Sequence, residues 1–226
     1  MCGRMNISDH EGIRSLLESL GMETWPVQKP RYNIAPTQAL DVVKLDGDLP
    51  TLANMSWGIS MKTKGAKGQP ITRRIPNSRD DKVWTSYLWR YLIPEQRVLI
   101  PVNGFYEWKR KNKKLIAAYH ITPAGKPAMF FAGIYRKPKD EQADPLCEVS
   151  IVTTSANEAM SDVHDRMPVI LSSQNAAMAW LLENDRETLD ELMQPASNDA
   201  LLFTQVSDYV NKSTNEGPEC IEALAS

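Results

Sequence analysis

Apolar residues recur at helical spacing in several stretches of the chain. The first run follows the capping box Ser8-Asp9-His10-Glu11 and stops at Gly21, and its apolar positions are Ile13, Leu16, Leu17 and Leu20. A second run ends before Pro94 and contains Trp84, Leu88, Tyr91 and Leu92. These patterns predict a helix over residues 9–20 and a second helix that ends before residue 94. Ser173 predicts the cap of a late helix that runs to residue 182, and Thr188 the start of a shorter one.

Strands are predicted where apolar runs alternate or are bounded by turn signals. Asp46-Gly47-Asp48 is such a signal, and it indicates a hairpin. The predicted strands cover residues 40–45, 49–59, 97–102, 105–110, 115–121, 128–135, 147–154 and 201–206. Many strands with helices at both ends predict one α+β domain over residues 1–226, with a largely antiparallel, barrel-like sheet on which the acidic segment 183–226 packs.

Two other segments predict irregular structure. A passage with Pro26, Pro30 and Pro36 carries Arg31-Tyr32-Asn33-Ile34-Ala35-Pro36, which predicts an ordered loop because proline disfavours helix. Residues 62–70 are rich in lysine and glycine and predict a mobile loop.

Composition excludes several classes of protein. Hydrophobic content of 42% with 24% charged residues is typical of a globular domain. The longest apolar stretch, residues 128–135, is too short to cross a bilayer, and the start of the chain has no secretory signal. Cys2, Cys147 and Cys220 lie far apart without a CxxC pair, which argues against zinc and against a disulfide framework. We therefore expect a reduced, cytoplasmic protein with no membrane, metal or cofactor partner.

Charge is unevenly spread along the chain. The net charge is −2, but residues 62–82 hold seven basic and two acidic residues, and residues 183–226 hold two basic and ten acidic residues. One face could attract phosphate while another repels it. A solvated lysine-rich loop explains the basic stretch equally well.

Cys2 is the most informative candidate for chemistry. Removal of Met1 would leave an α-amine and a thiol on adjacent carbons. The amine titrates near pH 8, so part of it is nucleophilic at neutral pH. Such an aminothiol can form an imine with an aldehyde and then close a five-membered thiazolidine ring. The alternative is a buried, inert cysteine.

Glu107 and His164 are candidates for proton transfer. Glu107 lies in Gly104-Phe105-Tyr106-Glu107-Trp108, where aromatic bulk would desolvate the carboxylate and raise its pKa, although alternation could equally place it on a solvated face. His164 lies in Asp162-Val163-His164-Asp165-Arg166-Met167-Pro168, which suits a structured loop. Nucleotide-binding glycine motifs and a GxSxG elbow are missing from the sequence.

Seven short motifs occur in one order over nearly the whole chain. They are Met1-Cys2-Gly3-Arg4, Arg31-Tyr32-Asn33-Ile34-Ala35-Pro36, Trp57-Gly58, Asn77-Ser78-Arg79, Gly104-Phe105-Tyr106-Glu107-Trp108, Val152-Thr153-Thr154 and His164-Asp165-Arg166-Met167-Pro168. Together they resemble the SOS response-associated peptidase (SRAP) family of abasic-site processing proteins.

The resemblance implies a function, a partner and a set of site residues. It implies a monomer that binds single-stranded DNA, that traps the ring-opened aldehyde of an abasic site on Cys2 as a thiazolidine, and that has associated lyase and self-release or autoproteolytic activity. The implied catalytic residues are Cys2, Glu107 as proton shuttle, His164 for deoxyribose ring opening and Asn77 as a hydrogen-bond partner of the adduct. The implied DNA-binding residues are Arg4, Arg79, Arg166, Trp108, Thr153, Pro36 and Asn33.

The sequence departs from the family pattern at two places. Asn77-Ser78-Arg79 stands where the family has Asn-Ala-Arg, and Pro76, Asp80 and Asp81 flank it. After Trp57-Gly58 the chain reads Ile59-Ser60-Met61-Lys62-Thr63-Lys64, without the proline and tryptophans that close relatives use to part DNA strands. Stacking on bases should be weaker there.

Two other functions stay open. An N-terminal-nucleophile glutaminase would use Cys2 for acyl transfer with Asn103-Gly104 as oxyanion site, but it leaves Glu107 without a role. A module that binds single-stranded DNA without covalent chemistry would leave Cys2 a bystander. A complex that survives boiling in detergent separates covalent capture from both.

Overall fold

The computed structural model describes residues 2–22, 29–138 and 146–224, and its regular structure is mostly β-strand. Met1, Pro26 and the last two residues of the acidic segment lie outside these ranges. The strands are β1 (Met5–Ile7), β2 (Arg31–Ile34), β3 (Ala39–Asp46), β4 (Leu49–Trp57), β5 (Ile59–Lys64), β6 (Pro70–Ile75), β7 (Asn77–Arg79), β8 (Arg97–Val102), β9 (Gly104–Lys111), β10 (Lys114–Pro123), β11 (Met129–Arg136), β12 (Cys147–Ser155), β13 (Arg166–Pro168), β14 (Ile170–Leu171) and β15 (Leu201–Val206). The α-helices are α1 (His10–Glu18), α2 (Asp80–Val83), α3 (Glu158–Ser161), α4 (Gln174–Leu182) and α5 (Arg186–Leu192).

Five strands close into a barrel. β12 pairs with β4, and the ring continues through β3, β8 and β11 back to β12. The β12–β4 pair is parallel and the others in the ring are antiparallel. The core is apolar, with Val42, Leu99 and Phe131 fully buried. Gly133 is required where strands approach closely, because a Cβ there would lie 2.8 Å from Cγ2 of Val98. The predicted barrel-like, largely antiparallel α+β fold is confirmed.

A second, antiparallel sheet lies in the order β15, β10, β9, β1, β2. It carries the start of the chain, because Met5 of β1 pairs with Phe105 of β9 and with Ile34 of β2. Two 3₁₀ turns, Asp208–Asn211 and Pro218–Cys220, follow β15. Val210 and Cys220 from these turns are buried against Tyr106. The C-terminal segment therefore covers one face of this sheet.

Most predicted elements are confirmed with small shifts at their ends. Helix α1 is capped by Asp9 and not by Ser8, since Asp9 Oδ1 accepts the Gly12 N–H at 3.1 Å while Ser8 Oγ accepts from the side chain of Asn6. Gly21 adopts φ +76° after the helix, as its role as a stop requires. Ser173 caps α4 as predicted, whereas α5 begins before Thr188 because Asp185 is its cap.

Three sequence predictions are wrong. Residues 31–34 form strand β2 rather than a loop, because β1 offers them an open edge. Residues 62–64 pair with residues 70–72 in a hairpin, so the expected loop is confined to residues 65–69. The helix expected to end before Pro94 is replaced by turns after α2. In these turns the Ile93 carbonyl accepts a hydrogen bond of 2.7 Å from the Arg97 guanidinium. None of the helices in the described ranges is long and apolar enough to cross a membrane.

Candidate functional site

The pairing of β1 with β9 carries Cys2 toward Glu107. The Tyr106 N–H donates to the Arg4 carbonyl at 3.0 Å, which continues the ladder beyond Met5 toward the N-terminus. The Cys2 side chain is fully buried, and its Sγ lies 3.8 Å from the Arg4 carbonyl oxygen. Burial raises the pKa of the Cys2 thiol, and the negative charge of Glu107 raises it further. The Glu107 carboxyl is therefore close enough to the Cys2 thiol for its negative charge to disfavour the thiolate.

Glu107 is buried, with 2% of its surface exposed, so the alternative of a solvated strand face is wrong. Alternation failed here because Tyr106 and Glu107 are both covered, Tyr106 by the C-terminal segment and Glu107 within the site. Burial raises the pKa of the Glu107 carboxyl, and the nearby His164 acts in the opposite direction. A carboxyl whose pKa is raised in this way keeps its proton to a higher pH than an exposed glutamate does, which suits a group that donates a proton.

Asn77 connects the barrel to Cys2. Strand β7 runs parallel to β12, with Asn77 beside Ile151, and the Trp57 indole anchors the preceding residue by donating to the Pro76 carbonyl at 3.0 Å. Asn77 Nδ2 donates to the Cys2 carbonyl at 2.9 Å. Its Oδ1 is buried and accepts no hydrogen bond from the described residues. An acceptor in such a position is ready for a donor supplied by a ligand.

His164 and Arg166 lie on the loop and strand that follow α3. His164 Nδ1 lies 3.0 Å from the Arg166 backbone nitrogen and 2.9 Å from Asp165 Oδ1, so the imidazole ring is oriented through this nitrogen. Arg166 is buried and forms an ion pair with Asp80 at 2.8 Å. It also donates to Thr153, whose hydroxyl donates to the Ser78 carbonyl at 3.1 Å. Arg166 and Thr153 thus join β13, β12 and β7 around the site.

Arg79 is the most accessible of the predicted DNA-binding arginines. About half of its side chain is exposed, and its guanidinium is held by Asp81 through two hydrogen bonds of 2.9 Å. These bonds raise the pKa of Arg79 and lower that of Asp81. The Asp81 carboxylate occupies the fork that a phosphate would take.

Arg4, Asn33 and Trp108 are engaged by the C-terminal segment. Arg4 donates to Asn33 Oδ1 at 2.7 Å and to the Val210 carbonyl at 2.9 Å, and it lies 5.7 Å from the centre of the Trp108 ring. The Trp108 indole donates to Asn211 Oδ1 at 2.6 Å. Pro36 is half-buried at the end of the β2 region. Contact of these residues with DNA stays a prediction.

Sequence reasoning missed the acidic partners Asp80 and Asp81 of the site arginines, and it missed Asn211. Only the charges beside Asn77-Ser78-Arg79 could have indicated the first two. Nothing in the sequence around Asn211 indicates that its side chain meets Trp108, 103 positions away. Within the described ranges, no three His, Cys, Asp or Glu side chains come together as a metal site would require.

A separate apolar cavity of about 380 Å³ lies between α1, β11 and the start of α4, and Leu16, Met129 and Leu171 line it. The predicted site residues line no part of this cavity within the described chain.

Comparison with known proteins gives the family. The family model described as SOS response associated peptidase (SRAP) matches residues 1–213. The chain belongs to the SRAP family. Abasic site processing protein YoqW of Bacillus subtilis is 32% identical over 228 residues, which cover 99% of this chain and 100% of YoqW. Abasic site processing protein YoaM of the same organism is 31% identical, over 99% of this chain and 98% of YoaM.

A solved structure shares the fold of this chain. A crystal structure of a protein from Bacteroides thetaiotaomicron superimposes with a TM-score of 0.80 at 19% identity, over 99% of this chain and 100% of that one. At this identity the likeness shows the fold alone. The family resemblance inferred from the seven motifs is confirmed.

Proposed function

We propose that this chain processes abasic sites in single-stranded DNA by bonding them covalently to Cys2. The names of its relatives, abasic site processing proteins, support the substrate. The observation that supports the chemistry is that Asn77 and Glu107 both lie beside Cys2. Asn77 donates a hydrogen bond of 2.9 Å to the Cys2 carbonyl, and the buried Glu107 carboxyl opposes ionisation of the Cys2 thiol. The reaction requires Cys2 to be the first residue of the mature protein, because only then does it carry an α-amine.

The first step joins the amine to the sugar. The α-amine of Cys2 attacks C1′ of the ring-opened deoxyribose, and the aldehyde oxygen becomes the hydroxyl of a carbinolamine. Glu107 in its protonated form, which burial favours, gives its proton to that hydroxyl, which leaves as water. The products are an iminium ion and the Glu107 carboxylate.

The second step closes the ring. The Glu107 carboxylate takes the thiol proton, and the sulfur bonds to the iminium carbon to give a neutral thiazolidine. The net reaction joins one aldehyde to one aminothiol and releases one water. This proton acceptor is needed because burial keeps the Cys2 thiol in its neutral form.

His164 and Asn77 act on the sugar in this proposal. Nε2 of His164 takes the proton of the C1′ hydroxyl and passes it to O4′ as the C1′–O4′ bond breaks, so that C1′ becomes the aldehyde carbon and O4′ becomes a hydroxyl. Asn77 Oδ1 accepts a hydrogen bond from a hydroxyl of the opened deoxyribose. Lyase activity and self-release would both proceed through the iminium ion, the first by elimination at the sugar and the second by addition of water.

The test is a reaction with single-stranded DNA that bears one abasic site. The proposal expects a complex that survives boiling in detergent, formed faster with single-stranded than with duplex DNA, since a stacked nucleotide must first be extruded. Cys2→Ala should form no such complex. A stable complex of Cys2→Ala at wild-type yield would contradict the role of the thiol, and binding without any covalent product would favour a non-covalent module.

A further inference from the structure

Two tyrosines and an arginine form an exposed patch in the turns that follow α2. Tyr87 is 83% exposed and Tyr91 is 64% exposed, and their ring centres lie 6.3 Å apart in an edge-to-face arrangement. The Arg90 guanidinium lies 4.6 Å from the Tyr91 ring centre and 5.9 Å from that of Tyr87, and Arg90 also donates to the Tyr91 hydroxyl at 2.7 Å. We call these three residues the Tyr87–Tyr91 patch.

The core does not require these aromatic rings. Trp89, Leu92 and Ile93 of the same turns are buried and fix this segment to the barrel. Tyr87, Arg90 and Tyr91 point the opposite way into solvent. A lone exposed aromatic residue is ordinary, but two rings joined by a guanidinium form a contiguous surface with the chemistry of a binding site.

The patch follows Arg79 closely along the chain. Helix α2 begins at the residue after Arg79, and the Ser86 N–H donates to the carbonyl of its residue Lys82 at 2.9 Å. Asp80 in the first turn of α2 holds Arg166 at 2.8 Å, which fixes the helix to the site. Tyr87 is eight positions from Arg79. Eight extended residues span at most about 28 Å, and the helix and turns between these two residues shorten the distance between their Cα atoms.

An acidic helix lies against Trp84, three positions before the patch begins. The Trp84 indole donates to Asp190 of α5 at 2.6 Å, and Arg186 lies 5.2 Å from the Trp84 ring centre. Helix α5 also carries Glu187 and Glu191. Phosphates would be repelled there, so a nucleic acid strand that crosses the patch must lie on the side away from α5.

We propose that the Tyr87–Tyr91 patch stacks unpaired bases of the DNA strand beside the abasic nucleotide. The inference rests on the proposed function and adds a base-binding site to it. Every base offers a π-face to a tyrosine ring, and the guanidinium adds charge toward the phosphates. Duplex bases are already stacked on each other, so the patch selects single strands. It provides aromatic rings in a chain whose residues 59–64 contain none.

Photocrosslinking tests the patch directly. The probe is a single-stranded oligonucleotide with one tetrahydrofuran residue, which has no aldehyde, and with 5-iodouracil placed one to four nucleotides to either side. This base crosslinks preferentially to aromatic side chains that stack on it. We expect the crosslinked peptide to contain Tyr87 or Tyr91 for positions on one side of the tetrahydrofuran.

Matched variants measure what the patch contributes. Tyr87→Ala with Tyr91→Ala should weaken binding of the same oligonucleotide about 5- to 100-fold without changing its salt dependence, because stacking releases no counterions. Tyr87→Phe with Tyr91→Phe should bind like the wild type. Leu49→Ala is the control, since this leucine is 71% exposed in the β3–β4 hairpin.

Crosslinks that map elsewhere, or wild-type affinity in the double alanine variant, would overturn the proposal that the patch stacks bases. A parallel reaction of the wild type with an aldehyde-bearing oligonucleotide reports on the proposed function by itself. Adduct formation with an unchanged double alanine variant rejects the patch alone, whereas base crosslinking without adduct rejects the covalent function alone.

Discussion

Asn77 Nδ2 and the Cys2 carbonyl oxygen lie 2.9 Å apart, and this hydrogen bond joins the barrel to the first residues of the chain. The donor comes from β7, which is held against β12, and the acceptor precedes β1 in the second sheet. A chain terminus is ordinarily free to move. Here Cys2 is fixed at the point where the two sheets meet, and the buried Glu107 carboxyl lies close by.

Asn77→Ala should slow covalent capture more than it weakens DNA binding. The substitution removes the hydrogen bond to the Cys2 carbonyl, and it removes Oδ1, the acceptor proposed for the deoxyribose hydroxyl. The loss of one buried hydrogen bond and one ligand contact predicts a capture rate about 10- to 100-fold lower under single-turnover conditions. Asn54→Ala is the control, because Asn54 makes an exposed bond of 2.9 Å to Asp41. Equal capture rates for the two variants would contradict the positioning role of Asn77.

Glu107→Gln should lose activity and gain stability. Positioned acid–base groups contribute about 10²- to 10⁴-fold, so capture and release should slow by that order. Because burial raises the folded-state pKa of Glu107 above its ordinary 4.5, the folded protein binds this proton more tightly than the unfolded chain. The stability of the wild type should therefore fall as the pH rises above about 4.5 toward the raised folded-state pKa, and the glutamine variant should lack this loss.

The measurement for Glu107 is urea unfolding of both proteins between pH 4 and pH 8, with Glu158→Gln as an exposed control. The stability difference between Glu107→Gln and the wild type should grow with pH. A difference that stays constant, together with wild-type capture rates, would mean that Glu107 neither resists ionisation nor moves a proton.

Glu148→Gln should release the β5–β6 hairpin. Glu148 accepts bonds of 2.5 Å from Arg74 and from Arg136, and one of 3.1 Å from the Ser60 N–H. Burial acts to raise the pKa of Glu148, but the bonds from Ser60 and Arg136 outweigh it and lower the pKa. The stabilisation is therefore complete above the ordinary pKa and is lost as the pH falls through the lowered one.

Breaking a buried ion pair lowers the free energy of unfolding by about 3–5 kcal/mol. Because Arg74 is partly exposed, we expect the loss in Glu148→Gln to lie at or below the lower end of that range. Hydrogen exchange of the amides in residues 59–64 and 70–75 should speed up in Glu148→Gln. Unchanged exchange there, with a lower global stability, would show that Glu148 supports the barrel and not the hairpin.

Asp81→Asn should tighten binding of single-stranded DNA. The substitution removes the negative charge and one of the two acceptor oxygens that now hold the Arg79 guanidinium at 2.9 Å, so a phosphate can compete for it. One additional phosphate contact would steepen the plot of log affinity against log salt by about 0.7. Asp199→Asn makes the same charge change at another exposed position. An identical salt slope in both variants would reject competition between Asp81 and phosphate.

The barrel strands could be read from the sequence because their apolar runs are bounded by turn residues. Strand β2 could not, since its pairing depends on the open edge of β1. The sequence left two alternatives for Glu107, because alternation assumes that one face of a strand is solvated, and the C-terminal segment covers the face that carries Tyr106. The bond between Trp108 and Asn211 spans 103 positions, a distance at which periodicity carries no information.

The central claim is tested most directly by the intact mass of the product formed with single-stranded abasic DNA. The account predicts one species whose mass is that of the chain without Met1, plus the oligonucleotide, minus one water. The adduct should be retained without chemical reduction, because a closed thiazolidine has no imine bond to trap. A protein that keeps Met1 and forms no adduct, or an adduct that persists unchanged in Cys2→Ala, would contradict covalent capture by the Cys2 aminothiol.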